Sequence, residues 1–277
     1  MLKRKTTNRI VKIVLSLLVT FFVLSPFAWM VTFSLRTQVQ IFESPPRFFP
    51  RKVVTENYET VLGNNRFGLF FRNSIIVSIS STLVVITVAC LAGYGFSRFT
   101  FRGKRVLTFS ILSSQLFPIY VIIIPLFIVY NMLALYDTIT GLIVVYTAIS
   151  LPFSIFLMSG FFNEIPKELE ESAYIDGASK LQAFLLVVLP NCLNGITAIS
   201  IFVLISTWQE FLLALSLTVS EESRTLPVGL MYFFGQYRTD YGGVMAASVL
   251  ATIPTIIIFL FLQKYFIRGM ISGTVKG

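Results

Sequence analysis

Two stretches of this chain hold side chains suited to more than packing. Glu168 to Pro190 reads ELEESAYIDGASKLQAFLLVVLP, and it gathers the carboxylates Glu168, Glu170, Glu171 and Asp176 beside the small residues Ser172, Ala173 and Gly177. Acidic and small residues on an exposed short helix are what docking into a groove on a soluble partner requires. The same residues would also make an ordinary solvated link, and the residues alone leave the two readings even. The second stretch, STWQEFLLALSL, sets Trp208, Gln209 and Glu210 in an apolar run. An acid there is costly unless it faces protein or water, so Glu210 either lines a polar pathway or pairs with a neighbouring helix or the outer interface.

Other chemistry is poorly supplied. The chain has no histidine, which removes His-based triads, the usual His-rich zinc sites and histidine proton relays. No nucleophile–base pair or carboxylate cluster lies within the apolar runs, and no Gly-rich phosphate loop is present. Cys90 and Cys192 lack metal-ligand spacing and are expected to be packed thiols rather than a disulfide.

The elements that must position these residues are membrane helices. Of 277 residues, 55% are hydrophobic and only 13% charged, against roughly a quarter charged in soluble domains. Runs long enough to cross a hydrocarbon core of roughly 30 Å predict six transmembrane helices, at 10–35, 70–96, 106–130, 139–162, 193–217 and 244–266. A β-barrel is disfavoured, since IIVSISSTLVVITVACLAGYGF stays apolar or small on every face instead of alternating. The fold class expected is an all-α membrane protein. Pro118, Pro125, Pro152 and Pro254 fall inside the spans and are expected to act as plain kinks.

Basic loops are retained on the cytoplasmic side. Placing both termini cytoplasmic puts Lys3, Arg4, Lys5, Arg9, Lys12, Arg98, Arg102, Lys104, Arg105, Lys167, Lys180, Lys264, Arg268 and Lys276 inside. Around the first external loop, Arg36, Arg47, Arg51, Lys52, Arg66 and Arg72 run against this, but the loop is longer and mixed with Glu43, Glu56 and Glu59. The first run is too long for a signal peptide core and has no A-x-A-like site after it, so it reads as an uncleaved helix. The net charge of +9 sits at membrane boundaries without a separate module, which favours anionic lipid over nucleic acid as its partner.

On this topology the stretch 163–190 is cytoplasmic. Pro166 suits the start of a first short helix, the acids favour its N-terminal end, and Gly177 terminates it. A second helix starts near Ser179 and bends near Pro190 on its way into the fifth span.

Glu171-Ser172-Ala173, three residues, Gly177, nine residues, Val187, one residue, Leu189-Pro190 resembles the EAA loop of importer-type ABC permeases, E-A-A-x3-G-x9-I-x-L-P. Ser172 and Val187 depart from it, both conservatively in size. NSIIVSISSTL, GYGFSRFTFRGK, WQEF, TLPVGL and the C-terminal MAASVLATIPTIIIFLFLQKYFIRGMISGTVKG extend the likeness over nearly the whole chain. They resemble carbohydrate permeases of the maltose and multiple-sugar type, the six-helix MalG-like partner in particular.

The resemblance implies a type I ABC importer permease fold without an ATPase site of its own, in a bacterial or archaeal cytoplasmic membrane. It implies four kinds of partner: a second permease, two cytoplasmic ATPase subunits, an external solute-binding protein and membrane lipid. ATP and magnesium would be used by the ATPase subunits, with no cofactor on this chain. Its domains would be a tail and first helix at 1–35, an external loop at 36–69, a permease core at 70–270 containing the coupling loop 163–190, and a tail at 271–277. Glu171 would pair with a basic ATPase side chain, and Ala173 and Gly177 would permit close contact. Asp176 would cap or orient the loop, and Leu189 and Pro190 would set the bend. Trp208, Gln209 and Glu210 resemble the family's W-N-[DE]-F pattern with Gln for Asn, a possible sugar pathway in which Trp208 stacks on a ring and Glu210 bonds hydroxyls. The expected cargo is an oligosaccharide, with monosaccharides, polyols, glycerol phosphates and uronate oligomers left open. A non-sugar ABC importer and a stand-alone secondary transporter are the competing readings; the latter would be expected to show coupling acids near the midplane or internal repeats.

Overall fold

The computed structural model describes residues 2–235 and 239–274. Among them the chain is helical, apart from one isolated antiparallel bridge between Phe234 and Thr239. In order the helices are α1 (Leu2–Ser34), α2 (Gln38–Ile41), α3 (Glu56–Leu62), α4 (Asn65–Arg98), α5 (Lys104–Ser114), α6 (Ile119–Met132) and α7 (Ile139–Glu164). They continue with α8 (Glu168–Ile175), α9 (Lys180–Ala183), α10 (Leu189–Asn191), α11 (Leu193–Gln209), α12 (Leu212–Leu217), α13 (Leu226–Gly229) and α14 (Tyr241–Thr274). A π turn over Phe184–Val188 joins α9 to α10. The tail expected at 271–277 begins inside α14; residues 275–277, Lys276 among them, lie outside the described residues.

Among the described residues, four helices are long and apolar enough to cross a membrane, or five if the pair Lys180–Asn191 and Leu193–Gln209, bent by 72°, counts as one. The third predicted span, 106–130, is instead two helices, α5 and α6. Pro118 is the cause: it has no N–H to donate and disfavours helical backbone in the residue before it, so it starts a new helix as the N-cap of α6. Pro125, Pro152 and Pro254 stay inside continuous helices. The fifth predicted span, 193–217, also stops, at Glu210, where the backbone turns extended with φ −68° and ψ 126° before α12 begins.

The fold separates into two compact units, Met1–Gly68 with Leu230–Ile253 and Leu69–Gly229 with Pro254–Gly277. In the first, the loop after α1 is pinned by polar contacts. The Asn57 amide donates to the Ser34 and Arg36 carbonyls at 2.8 Å each, and Ser34 and Tyr58 hydroxyls lie 2.7 Å apart. The Arg36 guanidinium donates to Phe48 O at 2.6 Å and lies over the Phe33 ring, 4.5 Å from its centroid. Arg47 and Arg51 both face Glu43, so part of this loop's positive charge is neutralised within it.

The second unit has two apolar clusters. One gathers Val85, Ala89 and Cys90 of α4, Met158 and Phe162 of α7, Phe184 and Val188 of the π turn, and Ile199 and Val203 of α11. Cys90 and Cys192 are free thiols buried in it. α4 and α7 meet closely here: a Cβ on Gly93 would lie 3.0 Å from Met158 Cβ and the Ser159 nitrogen. The other cluster joins Val77, Tyr130, Leu142, Tyr146, Leu213, Leu217 and Val228.

Candidate functional site

The segment leading from α7 to α11 is built from local signals. α8 ends in a Schellman turn, with Ala178 N–H donating to Ala173 O at 2.9 Å and Gly177 N–H to Tyr174 O at 3.1 Å. That turn requires a left-handed residue, and Gly177 supplies it at φ +89°. Ser179 then opens the next helix with a capping box: its hydroxyl accepts from Gln182 N–H at 3.3 Å, and the Gln182 side chain accepts from Ser179 N–H at 2.8 Å. Pro190 lies one residue beyond the π turn, after Leu189. Its ring would clash with the carbonyl four residues back in a regular helix, and the widened turn makes room for it. Leu189 packs half-buried on the first cluster, and the 72° bend falls just beyond Pro190, at Cys192.

Each residue singled out in this segment can be placed. Glu171 is exposed and Asp176 is the exposed C-cap of α8. The Ser172 hydroxyl, on the exposed surface, donates back to Glu168 O at 2.8 Å. Ala173 is half-buried and Gly177 exposed, with nothing within 4 Å of where a Cβ would stand. Two apolar side chains of the same segment are also exposed, Ile175 at 87% and Leu181.

The sequence places Glu170 among the acids favouring the start of this helix, and the structure gives it a buried partner that reading did not anticipate. Glu170, adjacent to Glu171, is 4% exposed and pairs with Arg98 at the end of α4. Its second oxygen accepts from the Tyr94 hydroxyl at 2.7 Å. Arg98 also donates to Ile165 O, the C-cap of α7, at 3.0 Å, and Ser97 donates to Asn163 Oδ1 at 2.7 Å. The available signal was the pairing of a basic residue closing a long span with two successive acids on a short helix, of which only one can face inward.

The trio in the fifth span divides differently. Trp208 is buried, its ring edge-on to Phe71 with centroids 5.5 Å apart, and Gln209 is exposed. The Glu210 carboxylate accepts from Leu213 N–H at 2.8 Å, Ala214 N–H at 3.1 Å and the Tyr146 hydroxyl at 2.7 Å. It therefore caps the first turn of α12, where a negative charge is favourable, and links that turn to α7. A cavity of about 210 Å³ beside it is lined by Tyr146, Ser150, Ser206 and Thr207 among others.

A second polar clamp holds the 218–226 loop. Asp137 accepts from Val219 N–H at 2.8 Å, Ser220 N–H at 3.0 Å and the Ser223 hydroxyl. Partial burial works to raise its pKa, but these donors outweigh that and hold the carboxyl below its ordinary value. The Asn73 amide donates to Glu222 O at 2.8 Å and Arg224 O at 2.9 Å, and Leu226 N–H donates to Ser74 Oγ.

Residues 85–272 match the family described as binding-protein-dependent transport system inner membrane component. The chain belongs to that family. It is the membrane-spanning permease of a binding-protein-dependent ABC importer, the component without an ATPase site, and resides in the cytoplasmic membrane as a multi-pass protein. The permease is 33% identical to the trehalose/maltose transport system permease protein MalG of Thermococcus litoralis, over 100% of both chains. It is 34% identical to the trehalose transport system permease protein SugB of Mycobacterium tuberculosis, over 95% of this chain and 96% of that one. A chain from the crystal structure of a bacterial ABC transporter involved in import of the acidic polysaccharide alginate superposes with a TM-score of 0.81 at 25% identity, covering 94% of this permease and 98% of that chain.

Proposed function

We propose that this permease forms half of the translocation pathway of an ATP-driven sugar importer and takes its drive through the 163–190 loop. In this reading α1, α4, the broken pair α5–α6, α7, α11 with α12, and α14 make six passes, with both termini and the coupling loop in the cytoplasm. The partners are a second permease, two ATPase subunits that bind the ATP and magnesium, and an external binding protein that delivers the solute.

The observation that carries the reading is the division of labour on α8. Glu171, Asp176, Gly177 and Ile175 are exposed on a turn whose backbone is fixed by its own hydrogen bonds, while Glu170 roots that turn in the unit's interior. A rigid, small-surfaced and negatively charged projection is suited to a basic groove on an ATPase, with Glu171 as the ion-pairing group and Ala173 and Gly177 allowing close approach. ATP-driven closure of the ATPase pair would then move the docked turn and alternate the access of the pathway. Within the pathway, Gln209 is the polar member of the trio open to a solute, Trp208 is its apolar support and Glu210 holds the break in shape.

The cargo we favour is an oligosaccharide, supported by relatives named for trehalose, maltose and diacetylchitobiose transport. Reconstitution of the permease with its partner permease and ATPase in proteoliposomes tests this. Uptake of labelled di- to pentasaccharides should require both ATP and the binding protein; uptake that proceeds without ATP would contradict the reading.

A further inference from the structure

The docking reading uses the exposed face of the coupling turn and leaves its buried root unexplained. Glu170 is the one acid of that helix withdrawn from solvent, and both its oxygens are engaged, one by Arg98 Nε and one by the Tyr94 hydroxyl. Arg98 in turn reaches the Ile165 carbonyl at the end of α7. Tyr94 packs its ring against Phe162 of α7, with centroids 5.8 Å apart, and against Phe184 of the π turn, at 4.6 Å. One carboxylate thus gathers the ends of α4 and α7, the coupling helix and the turn leading to α11.

A buried ion pair is a poor way to gain stability, because desolvation of both charges offsets their attraction and well-packed apolar residues often do as well. What it does supply is direction. Apolar surfaces slide past one another at little cost, whereas a carboxylate held by two donors from one helix permits a single register.

We propose that the Arg98–Glu170–Tyr94 cluster is the strut that carries displacement of the coupling helix into α4, making Glu170 and Arg98 positioning residues for transport. This rests on the docking reading of α8. Without the Glu170 carboxylate, α8 keeps the contact of Tyr174 with Tyr94 but loses its tie to Arg98, and movement of the docked turn would be absorbed in the three-residue link Ile165–Lys167 and in the π turn.

The test uses the assembled importer: this permease, its second permease, the ATPase, and the binding protein purified with the sugar it retains. Glu170→Gln keeps the shape and removes the charge. It should hold the ATPase at wild-type stoichiometry and keep basal ATP hydrolysis, while stimulation of hydrolysis by the loaded binding protein falls about tenfold, within the usual range of coupling between sites. Exchanging the charges, Glu170→Arg with Arg98→Glu, should return part of the stimulation that each single reversal loses. If the exchanged chains do not accumulate, Tyr94→Phe removes one donor and keeps the ring, and it should lower stimulation by a smaller factor with the ATPase retained. Wild-type stimulation in both Glu170→Gln and Tyr94→Phe would overturn the strut, as would loss of the ATPase from Glu170→Gln, which would make Glu170 a shaper of the docking face only. A wild-type importer that holds no ATPase would fail earlier, at the docking reading, and remove the strut with it.

Discussion

Arg98 and Glu170, 72 residues apart in sequence, form an ion pair whose side chains are only 7% and 6% exposed. The pair ties the end of α4 to α8, whose neighbouring acid Glu171 is exposed. Because both charges are desolvated, removing either one strands the other. Arg98→Ala or Glu170→Ala should therefore each destabilise the permease by about 3–5 kcal/mol. Thermal unfolding in detergent would read this as a lowered Tm, and the double variant should lose less than the sum of the two.

The exposed neighbour behaves oppositely. Glu171 is solvated and among the described residues its reversal strands no partner, so Glu171→Lys should leave the Tm within a degree or two, its effect on stability lying within about 0.5 kcal/mol. What it should lose is the ATPase. Parallel measurement of Tm and subunit content separates the two adjacent acids.

Gly177 is required for its backbone and not for space. At φ +89° with open surroundings, Gly177→Ala should cost about 1–2 kcal/mol, and Gly177→Asn should cost less, since Asn tolerates left-handed backbone. Limited proteolysis across 174–182 would rank the three chains. Equal protection of all three would show that the turn is not held as described.

Asp137 gives a pH signature to the 218–226 loop. Its carboxyl is depressed in the folded state, so its contribution is fully present above the ordinary Asp value of about 3.9 and is lost as pH falls through the lower folded value. Protection of the loop from protease should therefore weaken on acidification below about pH 4 in the wild type. Asp137→Asn should start weaker and show no such step.

Glu210 accepts hydrogen bonds from the Tyr146 hydroxyl and the Leu213 and Ala214 N–H groups. Glu210→Gln should keep the acceptor for Tyr146 and retain assembly, whereas Glu210→Ala should lower both yield and uptake together. Uptake lost at normal yield in Glu210→Ala would instead assign the carboxylate to the solute.

Much of this architecture is legible in the sequence. Spans of unbroken apolar residues announce helices, and the Gly177-Ala178-Ser179 turn is written in residues whose backbone preferences leave few options. The breaks were harder to see. Pro118 and Pro125 sit in similarly apolar surroundings, yet only the first ends a helix, because the following helix can pack as a separate element against α7 and α12 through Ile119, Ile123 and Tyr130. The stop at Glu210 was hidden for a related reason: its carboxylate supplies the cap that makes an interrupted span affordable, and that requires Tyr146, far away in sequence. Glu170 and Glu171 are chemically identical neighbours, and only the position of Arg98 decides which is buried.

The central claim is that the 163–190 loop is where an ATPase engages this permease. Co-purification from membranes, comparing wild type with Glu171→Lys and scoring ATPase content per permease, tests it most directly. The account predicts that wild type brings the ATPase and the variant does not, with the second permease present in both. Wild type purifying without an ATPase under conditions that preserve complexes, or a variant that retains it fully, would contradict the account.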